Sequence, residues 1–308
     1  MVVKVVGIAG ITGKFARCIL GNLLKQDSTV RIRGYCRDPT RLPNSLLSSH
    51  RLQIIKGEAV DREALRTFVN GCDVVICCYL GDNSLMVDGQ RALVDACEAE
   101  RVPRYVASDY TIGFMTLEYG QLPAKDPMKH IHEYLKSKAS VSGVHVPYFG
   151  IFDPSTKTLS FWGTGNEAWE MTCYANAAEF VAAVALDESA VGFQRFLGDR
   201  KSIRQIAGTF EEVYGESVTL KCLGTLEELY DHMHHVRSED LSNIFAHLAM
   251  FYQYFCNIGQ TYIADDMNSS QTLNIKPVTL RDFLNQHSVQ NLANAASTAA
   301  STISPDLQ

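Results

Sequence analysis

A chain of 308 residues, 46% hydrophobic and 20% charged, is long enough to bury one large core and a smaller second one. Its net charge of −6, with no clustered run of lysine and arginine, argues against a nucleic-acid partner. No window reaches the roughly 20 apolar residues of a membrane span, and the opening MVVKVVGIAG has no apolar run long enough for a signal peptide, so no membrane partner and a cytoplasmic location are expected.

In chain order, residues 2–8, 30–36, 52–56, 74–78, 104–107 and 144–149 are short runs rich in β-branched or aromatic side chains, which predicts strands. Between them, residues 13–26, 61–70, 84–100 and 127–141 carry apolar residues at helical spacing, as at Leu93, Val94 and Cys97. Alternation of this kind predicts an α/β fold, a doubly wound parallel sheet with right-handed crossovers. Beyond residue 150 the pattern loosens. Strands at 159–162 and 170–174 interleave with helices near 175–187, 201–214, 225–236 and 239–256, which predicts a smaller α+β lobe over 151–287, partly interleaved with the first domain. Residues 288–308 are rich in Ala, Ser and Thr and are expected to form a disordered tail. The nine cysteines lie mostly in apolar runs such as DVVICC and MTCY, without the spacing of a disulfide framework or zinc site, and read as reduced core residues.

The run Gly7-Ile8-Ala9-Gly10-Ile11-Thr12-Gly13 follows the first strand and opens the first helix, and a second strand begins at Val30. Glycine in such a turn lets the chain reverse tightly and lets the backbone approach a pyrophosphate, while the helix N-terminus faces the phosphates. Gly7, Gly10, Ile11, Thr12, Gly13 and Lys14 are therefore candidates to hold a dinucleotide. An NAD site commonly carries an acid after the second strand, for the ribose hydroxyls. Here Arg37 stands 24 residues after Gly13, with Arg41 and Lys14 near it. A guanidinium holds a 2′-phosphate bidentately, which favours NADP(H); the competing reading makes the adjacent Asp38 the ribose ligand.

The segments GIAGITGKFARCIL, RDPTRL, GEAVDREALRTFVNGCDVVI and ALVDACEAERVPRYVASDY resemble, in that order, the NmrA-like or isoflavone reductase-like atypical short-chain dehydrogenases, from residue 3 to about 215 and more loosely beyond. The resemblance implies a Rossmann domain over residues 1–150 and NADP(H) as cofactor. It implies either a reductase of plant or fungal metabolites, often in fungal secondary-metabolite pathways, or a redox-sensing regulator that binds the nucleotide and a protein partner without chemistry.

Two lysines compete for the active site. Tyr134-x-x-x-Lys138 has the spacing of the short-chain dehydrogenase pair, but only about six residues separate Lys138 from the sixth strand, too few for the helix that follows the active-site lysine, whereas fifteen follow Lys129. The run from Lys129 to Leu135 resembles the family's lysine helix, which implies that Lys129 holds the nicotinamide ribose or assists proton transfer. Lys125 stands where the usual tyrosine would fall, and a register shifted by one would put Met128 in the lysine's place.

Open α/β sheets bind ligands beyond the carboxyl ends of their strands, which adds Cys78 and Tyr79 after strand four, Ser108, Asp109 and Tyr110 after strand five, and Tyr148 and Phe149 in strand six. Asp109 and Tyr110 join Lys129 as catalytic candidates. Leu80, Phe152, Trp162, Trp169, Phe251 and Tyr252 are the apolar candidates to enclose a bulky aromatic or heterocyclic substrate. No metal is expected: His130 and His132 point apart on a helix, and His232 and His235 lack a third ligand at a recognisable spacing. The expected function is NADPH-dependent reduction of such a substrate, with, as a variant, a tailoring step that sets up cyclisation of an unstable intermediate, and with the NADP(H)-sensing regulator as the alternative.

Overall fold

Each of the strands β1 (Val5–Ala9), β2 (Arg31–Cys36), β3 (Leu52–Lys56), β4 (Val74–Cys77), β5 (Arg104–Val106) and β6 (Ser142–Val144) joins a single sheet in the order β3-β2-β1-β4-β5-β6, all parallel. The computed structural model describes residues 4–26, 28–138, 142–144, 158–241, 243–263 and 273–294. Tyr148, Phe149, Phe152 and residues 295–308 of the expected tail lie outside these; residues 289–294 form a short 3-10 helix. Helices cover both faces, so a central strand such as β4, VVIC, is buried along its whole length and reads as a continuous apolar run. This is a doubly wound Rossmann sheet. Its order reverses between β1 and β4, and the crevice beyond their carboxyl ends is the usual ligand position of such sheets.

On one face, α1 (Lys14–Gln26) and α6 (Tyr174–Leu186) pack together, sharing a core with Val6, Ile8, Val74 and Val106. On the other face, α3 (Arg62–Val69), α4 (Gln90–Ala99) and α5 (Asp126–Lys136) bury Phe68, Leu93, Val94 and Ile131 against Val75, Cys77 and Tyr105. The short α2 (Asn44–Leu47) sits beside β3. Although α6 follows residue 150, it belongs to the sheet's core. The carbonyls at its C-terminus, which have no partner inside the helix, accept from Arg104 Nη1 and Nη2 at 2.5–3.0 Å and from Lys4 Nζ at 2.6 Å.

The helix expected over 84–100 opens as a π-turn, Leu85–Gly89, and α5 ends at Lys136, five residues earlier than the periodicity suggests. The smaller lobe holds β7 (Thr158–Phe161) parallel to β10 (Thr219–Cys222), β8 (Ala168–Met171) antiparallel to β9 (Asp199–Ser202), and α7 (Ile203–Tyr214), α8 (Leu226–Glu239), α9 (Ile244–Asn257) and α10 (Leu280–Asn285). Capping boxes start α7, α8 and α10, with Ser202, Thr225 and Thr279 as caps. The lobe's core of Leu159, Phe161, Trp169, Met233, Phe251 and Phe255 also takes in Ile112, Phe114, Leu117 and Leu122 from the loop joining β5 to α5. That loop is thereby fixed across the end of the sheet. Among the described residues, no helix is long and apolar enough to cross a membrane.

Candidate functional site

The turn after β1 is set by Gly10, whose φ of +77° is open to glycine but strained for an L side chain, and on which a Cβ would lie 2.9 Å from Cys78 O. Its amide donates to Tyr35 O at 2.9 Å, and Gly13 N donates to Gly10 O at 2.9 Å, which delivers the chain into α1. Gly7 is corrected by this geometry. It lies inside β1, and a Cβ on it would meet Phe68 Cζ and Val75 Cγ2 at 3.1 Å, so it is a packing glycine of the sheet. The phosphate-binding register instead starts three residues later, as Gly10-x-x-Gly13-x-x-Ala16, with buried Ala16 in the third place, where helix and strand must pack closely. The Ile11 side chain is fully buried against Gly34, and its amide donates to Tyr35 O at 3.3 Å. Thr12 is half-buried and Lys14 exposed at the mouth of the turn.

The basic character expected here is present and extends further. No acidic residue stands in the first turn of α1, where the helix dipole favours one; Lys14 begins the helix and Arg17 follows three residues on. The Nε of Arg17 is buried with no hydrogen-bond partner. At the end of β2, Arg37 is exposed, whereas Asp38 caps a 3-10 turn at Pro39–Arg41, accepting from Thr40 N at 3.1 Å and Thr40 Oγ1 at 2.6 Å. The Thr40 hydroxyl and amide hold the Asp38 carboxyl below its usual range. The carboxylate that competed with Arg37 is therefore engaged locally.

At the carboxyl ends of β4 and β5, several expected ligand contacts serve the scaffold instead. Ser108 is buried and donates through Oγ to Tyr79 O at 2.5 Å, and the Tyr79 ring is buried in the core beside Gly10. Buried Gln90, which carried no sequence signal, receives Ser108 N at 3.0 Å and Tyr105 Oη at 3.1 Å and donates to Met86 O, tying β5 to the π-turn. Tyr110 donates its phenol to Cys77 O at 2.8 Å, and burial raises its pKa well above the usual range, so it is a strut rather than an acid. Cys78 remains half-buried beside the glycine turn, and Leu80 is 89% exposed beyond it.

The buried ion pair of the site is the surprise. Lys125, the residue at the absent tyrosine's position, has no exposed side-chain surface and donates to Asp109 Oδ1 at 2.7 Å and to Thr111 Oγ1. Lys129, four residues further on in α5, is half-buried, donates one ammonium hydrogen to Leu117 O and lies 4.7 Å from the Tyr119 ring centroid. Tyr134 and Lys138 both bond to Asp95 on α4, and Lys138 also reaches Glu98 at 2.8 Å; the Asp95 hydrogen bond leads in raising the Lys138 pKa. That cluster joins two helices away from the crevice. Tyr134→Phe and Lys138→Met are accordingly expected to leave nucleotide affinity unchanged in a fluorescence titration and to lower stability by at most about 1 kcal/mol.

Of the apolar candidates, Trp169, Phe251 and Tyr252 are corrected to core: they are 5%, 0% and 8% exposed and pack against one another's neighbours in the smaller lobe. Trp162 is half-buried, its ring beneath Gly224.

A family model described as NAD(P)H-binding matches residues 10–143, beginning at Gly10. No curated protein matches the chain. Among solved structures, an NADPH-dependent quinone oxidoreductase of Escherichia coli complexed with NADPH is similar with a TM-score of 0.72 at 16% identity, over 94% of this chain and 100% of that one. An isoflavone reductase gives 0.74 at 13% identity, over 92% and 99%. The leucoanthocyanidin reductase–NADPH complex from Vitis vinifera gives 0.71 at 15%, over 95% and 99%. The fold is common to all of them.

Proposed function

We propose that this chain is an NADPH-dependent reductase of a bulky aromatic or heterocyclic small molecule. The observation that carries the reading is the orphaned guanidinium nitrogen of Arg17, buried in an acid-free first turn just past the Gly10 turn. A buried, unsatisfied donor at the positive end of a helix is costly alone and is relieved by an anion. Gly10, Thr12, Gly13, Lys14 and Arg17 hold the pyrophosphate, and Arg37, with Arg41, holds the 2′-phosphate. The nicotinamide, when bound, supplies a hydride, and Cys78 and Leu80 flank the crevice. The names of the similar structures, a quinone oxidoreductase, an isoflavone reductase and a leucoanthocyanidin reductase, support an aromatic substrate. A biosynthetic step in which reduction sets up cyclisation is the finer form of the same reading.

The test is cofactor choice. Arg37→Ala removes the charged hydrogen bonds to the 2′-phosphate, and NADPH affinity is expected to fall by about 1.5–3 kcal/mol while NADH affinity stays put. Equal losses for both nucleotides in parallel calorimetric titrations would contradict the assignment.

A further inference from the structure

The ion pair between Lys125 and Asp109 has no stability rationale of its own. Taking both charges out of water costs several kcal/mol each by order of magnitude, and apolar residues of similar volume often serve a core as well or better. Lys125 is nonetheless fully enclosed, under the Phe114 ring at 5.8 Å, with Asp109 4% exposed beside it. The second acceptor of the ammonium, Thr111, is different: it is half-buried and follows β5 at the ligand end of the sheet. Its position is fixed from both sides, because Tyr110 is bonded to Cys77 O on β4 and Gly113 N to Thr261 O at 3.1 Å. Since the Thr111 oxygen accepts from Lys125, its own proton is directed away from the lysine.

We propose that Asp109, Lys125 and Thr111 form a proton relay whose outer member, Thr111, protonates the oxygen of a carbonyl substrate. The inference rests on the reductase reading above. As a hydride supplied by the bound nucleotide forms the new C–H bond with its electron pair, the C=O π pair moves onto oxygen. That oxygen takes the Thr111 hydroxyl proton, and the Thr111 oxygen regains one from the Lys125 ammonium. Lys125 is left as a neutral amine, still beside an ionised Asp109, and recovers its proton from solvent through the half-buried Thr111 hydroxyl after product leaves. Thr111 is the catalytic residue; Lys125 and Asp109 are positioning residues that keep the ammonium charged and aimed. The relay stands where the tyrosine of the short-chain dehydrogenase pattern is missing.

The test compares Thr111→Val, which keeps the shape and removes the hydroxyl, with Thr111→Ser, which restores it, using phenanthrenequinone as probe. NADPH oxidation by Thr111→Val is expected to be about 10²–10³-fold slower at saturating NADPH, with unchanged NADPH affinity and a melting temperature lowered by the loss of one acceptor of the buried Lys125 ammonium. Calorimetric binding of the quinone to the nucleotide-free protein should weaken about 3- to 10-fold for the valine variant, the loss of one neutral hydrogen bond. The serine variant should recover both. A valine variant that turns over and binds like wild type, or a serine variant as slow as the valine one, overturns the relay alone. A wild-type protein that binds NADPH yet transfers no hydride to the quinone overturns the reductase reading and the relay with it.

Discussion

Gly10→Val is expected to abolish measurable NADPH binding in a chain that still folds. The substitution places a β-branched side chain at a φ of +77°, where its Cβ meets Cys78 O at 2.9 Å and Tyr79 Cδ1 at 3.3 Å. The left-handed conformation costs an L residue about 1–2 kcal/mol, and the turn must shift to relieve the clash with the carbonyl. Shifting it moves the amides of the turn and of the α1 N-terminus off the pyrophosphate. Losing two charge-assisted hydrogen bonds, at about 1.5–3 kcal/mol each, lowers affinity by about 100-fold or more. Gly7→Ala is the control, since its Cβ crowds Phe68 and Val75 inside the sheet. It should lower the melting temperature and leave NADPH affinity unchanged. Fluorescence titration of both variants distinguishes the two glycines; wild-type affinity in a folded Gly10→Val chain would show that the turn holds no nucleotide.

Lys125→Met is expected to destabilise the protein by about 3–5 kcal/mol in urea unfolding, because it removes the ammonium that balances the buried Asp109 carboxylate. Most of that loss comes from the carboxylate whose charge is no longer balanced. The double variant Lys125→Met with Asp109→Asn, which removes both charges, should therefore regain most of the stability while losing the relay. A single variant as stable as wild type would mean that the other partners of Asp109 carry its charge without the ammonium.

Much of this architecture is legible in the amino acids, for a physical reason. Strands buried on both faces are continuous apolar runs bounded by polar turns, so β4 falls on residues 74–77 within the 74–78 read from the sequence, and the strand–helix alternation yields the doubly wound sheet. The glycine turn is legible in kind but not in register. Gly7 mimics the first glycine of the motif, although its hydrogen faces a packed layer, and Ala16 hides the third position. Counting residues favours Lys129 over Lys138 but does not reveal that Lys125, the N-cap of α5, is the fully buried one. What separates Lys129 from Lys125 is the loop around Leu117 and Tyr119, held in place by the core of the smaller lobe, a long-range contact with no local signature. The same limit applies to Trp169 and Phe251, since composition does not distinguish an aromatic that lines a pocket from one that fills a core. Gln90, which joins β5 to the π-turn through buried hydrogen bonds, carries no pattern at all.

The central claim is that the crevice beyond β1 and β4 takes NADPH and that Arg37, not Asp38, reads its ribose. Calorimetric titration of the wild-type chain with NADPH and with NADH tests it most directly. The account predicts one NADPH bound per chain, at least about 10-fold more tightly than NADH, as one charged hydrogen bond to the 2′-phosphate requires. Equal affinity for the two nucleotides, a preference for NADH, or no heat of binding with either would contradict it.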